Sequence, residues 1–111
     1  MNGYICGPMT GLPEWNFPAF YEAEEWLSGK FPHGIIHNPA RLDENDENKL
    51  SWEYCMRRDL KLLLECDNIF LLKGWRNSRG ATLENHISTE LKIKRWELHK
   101  TDNGFELEEL K

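Results

Sequence analysis

The strongest constraint on this chain is a repeated order of short apolar runs and amphipathic stretches joined by single short connections. Residues 3–6, GYIC, form an apolar run ended by Gly7-Pro8, a buried first strand. Gly34-Ile35-Ile36-His37 is a second strand, stopped by Asn38-Pro39. Asp67 to Leu72, DNIFLL, is the clearest strand in the chain; residues 93–98 supply a fourth, and Gly104 to Leu110 a frayed end or an edge strand. Three helices separate them. The first is expected to be capped by Asn16, with Pro18 in its first turn, Phe20, Ala23 and Leu27 on one face, and Ser28-Gly29 at its end. The second is capped by Ser51 and runs to about Glu65. The third follows a loop from Lys73 to Arg79 and runs to about Leu91. The segment 41–50, RLDENDENKL, reads as a polar surface loop. Alternation of this kind requires parallel pairing and right-handed crossovers, hence an α/β domain with a short parallel sheet of four to five strands flanked by helices. The 111 residues fit one such domain and leave no room for a second.

Charge narrows the partners. With 14 basic against 19 acidic side chains the net charge is -5, which argues against binding a nucleic-acid duplex, since phosphates need a basic surface. A small anion in a local pocket stays compatible. No stretch approaches the roughly 18 apolar residues of a membrane span. The start, MNGYICGPM, lacks a basic flank followed by an apolar stretch, so no secretory signal is expected. Cys6, Cys55 and Cys66 are odd in number and form no C-x-x-C pair, which fits reduced thiols in a cytoplasm.

An open α/β sheet binds ligands at the carboxyl ends of its strands. Here those are the loops 7–15, 38–50 and 73–79. Two carboxylates stand out beside them. Glu84 falls on the inward stripe of the third helix with Ala81, Ile87, Ser88 and Leu91, near enough to the helix start for the dipole to favour its anion. Asp59 interrupts the apolar face of the second helix, made by Trp52, Cys55, Met56, Leu60 and Leu63. Each has a plain structural alternative: Glu84 turns to solvent, or Asp59 pairs with Arg58 or Lys61. Two such interruptions on helices flanking one strand suit chemistry in which one carboxylate attacks while the other handles a proton. In GWRNSRG, Ser78 is the N-cap, Gly80 permits close backbone approach, and Arg76 and Arg79 reinforce an anion site at the helix start.

Other constellations fail. DENDENK from Asp43 lacks the glycine and the glutamate of a calcium loop, at Asn48 and Tyr54. His33 and His37 have no third ligand nearby, so no metal and no cofactor are called for. There is no Walker loop, no dinucleotide fingerprint and no serine-hydrolase elbow.

YICGPMTG at 4–11, RRDLKLLLECDNIFLL at 57–72 and NSRGATLE at 77–84 resemble the nucleoside 2-deoxyribosyltransferase-like superfamily, most closely its small phage and bacterial members of the DUF4406 type. The resemblance covers about residues 3–93 and implies a flavodoxin-like three-layer fold. It implies cleavage of the N-glycosidic bond of a 2′-deoxynucleoside or its 5′-monophosphate, with water or another base as acceptor. By position, Glu84 would be the nucleophile at C1′, and Asp59 would contact base or sugar and help protonate the departing base. Tyr4, Gly7 and Met9 would lie in the loop lining the sugar and 5′ side, with Gly11 later in it. A homodimer or higher homo-oligomer in the cytoplasm, the host's if phage-encoded, is also implied. Where relatives acting on free nucleosides carry an aspartate for the 5′-hydroxyl, six before the nucleophile, this chain has Ser78. A serine at a helix start can bind a phosphate that a carboxylate would repel, so a monophosphate is the expected substrate. Two other readings compete: a non-catalytic nucleotide-binding or sequestering module, and an interaction protein using exposed tryptophans such as Trp15, Trp75 and Trp96.

Overall fold

A computed structural model describes residues 1–47 and 51–111. Five strands make one sheet in the order β2-β1-β3-β4-β5: β1 Asn2–Cys6, β2 Ile35–His37, β3 Asn68–Leu71, β4 Lys94–Thr101 and β5 Gly104–Leu110. The first four are parallel to their neighbours, and β5 runs antiparallel to β4 along the edge. The helices are α1 Phe17–Lys30, α2 Pro39–Asn45, α3 Trp52–Leu63 and α4 Arg79–Glu90. This is a flavodoxin-like three-layer α/β fold, as the resemblance implies; the strand–helix alternation accounts for the four parallel strands, and β5 departs from it by following β4 directly in a hairpin.

The layers follow from the two-residue period of the strands. Ile5, Phe70, Leu72 and Leu98 point to one side and pack with Phe20, Ala23, Leu27 and Ala40 of α1 and α2. Tyr4, Cys6, Ile69 and Leu71 point to the other and pack with Leu63 of α3 and Ala81 of α4. A strand buried on both faces must read as a continuous apolar run, which is why GYIC and NIFL stand out.

Several local expectations change. Asn16 does not cap α1 with its side chain. Its backbone is left-handed (φ 59), together with Glu14 and Trp15, and its amide donates instead to the Pro8 carbonyl at 2.9 Å. A side-chain cap needs extended backbone at that position. The helix also runs past Ser28-Gly29 to Lys30. The expected loop at 41–50 is helical through Asn45, because Asn38 Oδ1 accepts from Ala40 N at 3.0 Å and Pro39 occupies the first turn; residues 48–50 of that stretch lie outside the described residues. Leu91, assigned to the inward stripe of the third helix, is exposed beyond its end. Trp75, exposed only under the interaction-protein reading, is buried and donates its indole N–H to Glu97 Oε2 at 2.8 Å. Trp96 is half-buried, and Trp15 is exposed. No helix among the described residues is long and apolar enough to cross a membrane.

Candidate active site

The centre of the site joins β1 to α4. Strand alternation turns Tyr4 and Cys6 toward α3 and α4, while spacing of three and four residues puts Ala81, Glu84 and Ser88 on the buried stripe of α4. The Tyr4 hydroxyl donates to Glu84 Oε2 at 2.5 Å. The Cys6 thiol lies between the Ala81 carbonyl, at 3.6 Å, and the Glu84 carboxyl. Tyr4 therefore sits within a strand, beneath the loop that the resemblance assigned it to.

Glu84 is only 5% exposed. Burial pushes its pKa up to about 8, against the hydrogen bonds from Tyr4 and Cys6 and with a further rise from the negative charge of Asp59. That reverses the expected anion. Glu84 is the sixth residue of α4, beyond the first turn where unsatisfied N–H groups act, so desolvation outweighs the dipole. Tyr4 and Cys6 are raised well above their ordinary values by burial first and then by the charge of Glu84, so both stay protonated.

Asp59 faces the same centre from α3: its charge raises the pKa of Glu84, Tyr4 and Cys6 alike. Its side chain is 14% exposed and pairs with Arg58, at 2.9 Å from Nη2 and 3.0 Å from Nε, both to Oδ1. Lys61 is exposed. Burial pushes Asp59 up to about 6, and Arg58 holds it from rising further. The ion pair expected as the plain alternative is thus present, and Asp59 is nonetheless largely buried and close enough to Glu84 for its charge to be felt there.

The start of α4 forms the second part. Ser78 Oγ accepts from Ala81 N at 3.2 Å, the cap its sequence position requires. The Arg79 guanidinium stacks on the Trp52 ring at 3.7 Å. A Cβ on Gly80 would stand 3.0 Å from Met56 Cε, so this glycine lets α4 close on α3. Arg76 does not join this end; it pairs with Glu97 of β4 at 2.8 Å. The expected lining residues of the loop after β1 divide differently. Gly7 packs on Leu72, whose Cβ would be 2.9 Å from an added Cβ. Met9 packs on the α1-side core, and Gly11 is exposed with φ +81. An open cavity of about 950 Å³ lies on that other face, lined by Pro8, Asn16, Leu72, Trp75 and Lys100, and neither carboxylate borders it.

The family profile described as "Domain of unknown function (DUF4406)" matches residues 1–95. The chain belongs to that family. No curated protein and no solved structure matched in the other comparisons. The DUF4406 match takes in Tyr4, Cys6, Asp59, Ser78, Arg79 and Glu84, and stops at the start of the β4–β5 hairpin.

Sequence reasoning missed two members of this DUF4406 site. Trp52 orients Arg79, and its place at the head of the α3 apolar face is the signal that could have found it. Arg58 was weighed only as a neutralising partner, whereas it also bonds Asp46 at 3.1 Å and Asp43. Among the described residues, one cluster of metal-ligand type occurs on the hairpin, Glu97, His99 and Glu108, with ligand atoms within 4.8 Å. Its atoms are engaged with one another and with Trp75 and Arg76: His99 Nε2 lies 2.8 Å from Glu108 Oε1.

Proposed function

We propose that this protein cleaves the N-glycosidic bond of a 2′-deoxynucleoside 5′-monophosphate, or of the deoxynucleoside, with Glu84 as nucleophile and Asp59 as proton donor. The observation that carries the reading is the buried pair of carboxyl groups, one held by Tyr4 and the other by Arg58, below the start of α4.

The chemistry follows from this geometry. Tyr4 occupies Oε2 of Glu84, which leaves Oε1 to attack C1′. The C1′–N bond breaks, its electron pair goes to the base nitrogen, and Asp59 delivers a proton to the base. In the second step water or another base attacks C1′, the ester bond to Glu84 breaks with its pair returning to the carboxylate, and Asp59 takes up the acceptor's proton. A carboxylate nucleophile splits one difficult displacement into two, and its charge stabilises the oxocarbenium-like transition state.

The pair's ionisation restricts the reacting form. With Asp59 at about 6 and Glu84 at about 8, the pair holds a single proton across neutral pH, mostly on Glu84; the reacting form, with Glu84 ionised and Asp59 protonated, is the minor arrangement of that one proton. At the other end, Ser78, the N–H groups of the first turn and the oriented Arg79 suit a 5′-phosphate. Six helical steps lead from Ser78 to Glu84, about 9 Å along the axis. That span is comparable with a deoxyribose 5′-phosphate laid along the helix.

The test is acid quench during turnover followed by peptide mass mapping. The expected result is a deoxyribosyl or deoxyribosyl-phosphate adduct on Glu84. Base release without any adduct, or with an adduct on another residue, overturns Glu84 as nucleophile.

A further inference from the structure

Arg58 makes contacts that a surface ion pair does not. Residues i and i+1 of a helix point about 100° apart and do not ordinarily face each other. Yet Arg58 Nε and Nη2 both reach Oδ1 of the adjacent Asp59, at 3.0 and 2.9 Å. The guanidinium is held in that bent position from the far side. Nη1 donates to Asp46 Oδ2 at 3.1 Å, and Nη2 to Asp43 of α2. Arg58 and its three carboxylates are each between 14% and 16% exposed, so the cluster is largely removed from water. Both bonds to Asp59 end on one oxygen. Among the described residues no hydrogen bond to Oδ2 accompanies them, so the clamp holds one oxygen and not the other.

Resting on the proposed glycosidic reaction, we propose that Arg58 is a positioning residue: anchored by Asp43 and Asp46, it clamps Oδ1 of Asp59 and leaves Oδ2 as the proton-carrying oxygen. The orientation of the acid then depends on α2 and the turn after it, elements outside the β1–α3–α4 centre. The charged and titratable groups facing Asp59 are Arg58 and Cys55 on its own helix, Asp43 on α2, Asp46 after it, Glu84 on α4, and Tyr4 and Cys6 on β1. Of these, Arg58 is the cation.

The experiment compares wild type, Arg58→Gln and Arg58→Lys by two readouts. One is the titration of the Asp59 side-chain carboxyl followed by carbon NMR, which needs no turnover. The other is the pH profile of kcat for base release. In Arg58→Gln the Asp59 titration moves up by about one pH unit and the acid limb of kcat moves with it, because the opposite charge is gone. Lysine restores the charge but not the planar fork, so in Arg58→Lys the limb stays near wild type while kcat falls about tenfold or more. Added to Asp59→Asn, Arg58→Gln produces no further loss of kcat. An unmoved Asp59 titration in folded Arg58→Gln, or full kcat in Arg58→Lys, overturns the proposal. Should Arg58→Gln not fold, Arg58→Lys decides by its kcat. If the wild type releases no base, the glycosidic reading fails, and with it the proton-delivery role. The NMR titration then still decides whether Arg58 controls Asp59.

Discussion

The Tyr4 hydroxyl and Glu84 Oε2, 80 residues apart in the chain, meet at 2.5 Å in a part of the protein closed to water. The bond works on both partners. It lowers the pKa of Glu84 against the larger effect of burial, and it adds to the rise of the Tyr4 hydroxyl.

Replacing Tyr4 with phenylalanine therefore has two expected effects. Glu84 loses a hydrogen bond that favours its anion, so the alkaline limb of kcat/KM, where the pair gives up its one proton near 8 in the wild type, moves up. The buried carboxyl also loses a partner, at a cost of about 1–3 kcal/mol in unfolding free energy. Denaturant titration and a pH–rate profile measure the two; an unchanged alkaline limb contradicts the assignment of that limb to Glu84.

The same burial makes stability fall with rising pH. Glu84 titrates at about 8 in the folded protein against an ordinary 4.5. The folded state therefore binds the extra proton between those values. Its stabilising effect is complete below 4.5 and lost as pH rises through 8, with a slope of up to about 1.4 kcal/mol per pH unit. Asp59, raised from 3.8 to about 6, adds a slope of the same sign in its lower window. Urea unfolding from pH 6 to 9 should show the decline in wild type and a nearly flat line in Glu84→Gln. Equal slopes would contradict a buried, protonated Glu84.

Under the proposed reading, Ser78 is the residue that separates a monophosphate from a nucleoside. Aspartate caps a helix about as well as serine, so Ser78→Asp should leave the melting temperature nearly unchanged. Its charge opposes a 5′-phosphate, and KM for a monophosphate should rise about tenfold or more while the nucleoside is affected less. An equal change for both substrates places the 5′ group elsewhere.

Ser88, one turn beyond Glu84, is fully buried, and its hydroxyl has no hydrogen-bond partner among the described residues. Ser88→Ala removes an unsatisfied polar group with almost no loss of volume. Unfolding free energy should stay level or rise by about 1 kcal/mol. A loss of several kcal/mol would mean that the hydroxyl has a partner.

Much of this was legible in the chain, for physical reasons. GYIC and DNIFLL declare themselves because a strand covered on both sides has no polar face to show. Glu84 and Asp59 were found because a carboxylate on an apolar stripe is costly unless employed. Their ionisation was not legible, since it depends on how much water the tertiary fold excludes, and at the sixth helical residue burial overrides the dipole. α2 is hidden in the sequence because Asn38-Pro39 reads as a stop, although asparagine followed by proline also opens a helix. Its acidic residues looked like solvated charge; two of the acids in this stretch, Asp43 and Asp46, hold Arg58. Gly104 to Leu110 is the edge strand of the two alternatives, and Asp102-Asn103-Gly104 is the turn signal that the sequence reading passed over: it turns β4 into β5 where a parallel scheme would expect a helix.

The most direct measurement is chromatographic detection of free base after incubating the protein with each deoxynucleoside and each 5′-monophosphate, with and without a second base, beside Glu84→Gln. The account predicts base release by the wild type, faster from monophosphates, and none from the variant. Folded wild-type protein that binds nucleotides and releases no base from any of them, or a Glu84→Gln variant as active as wild type, would contradict it.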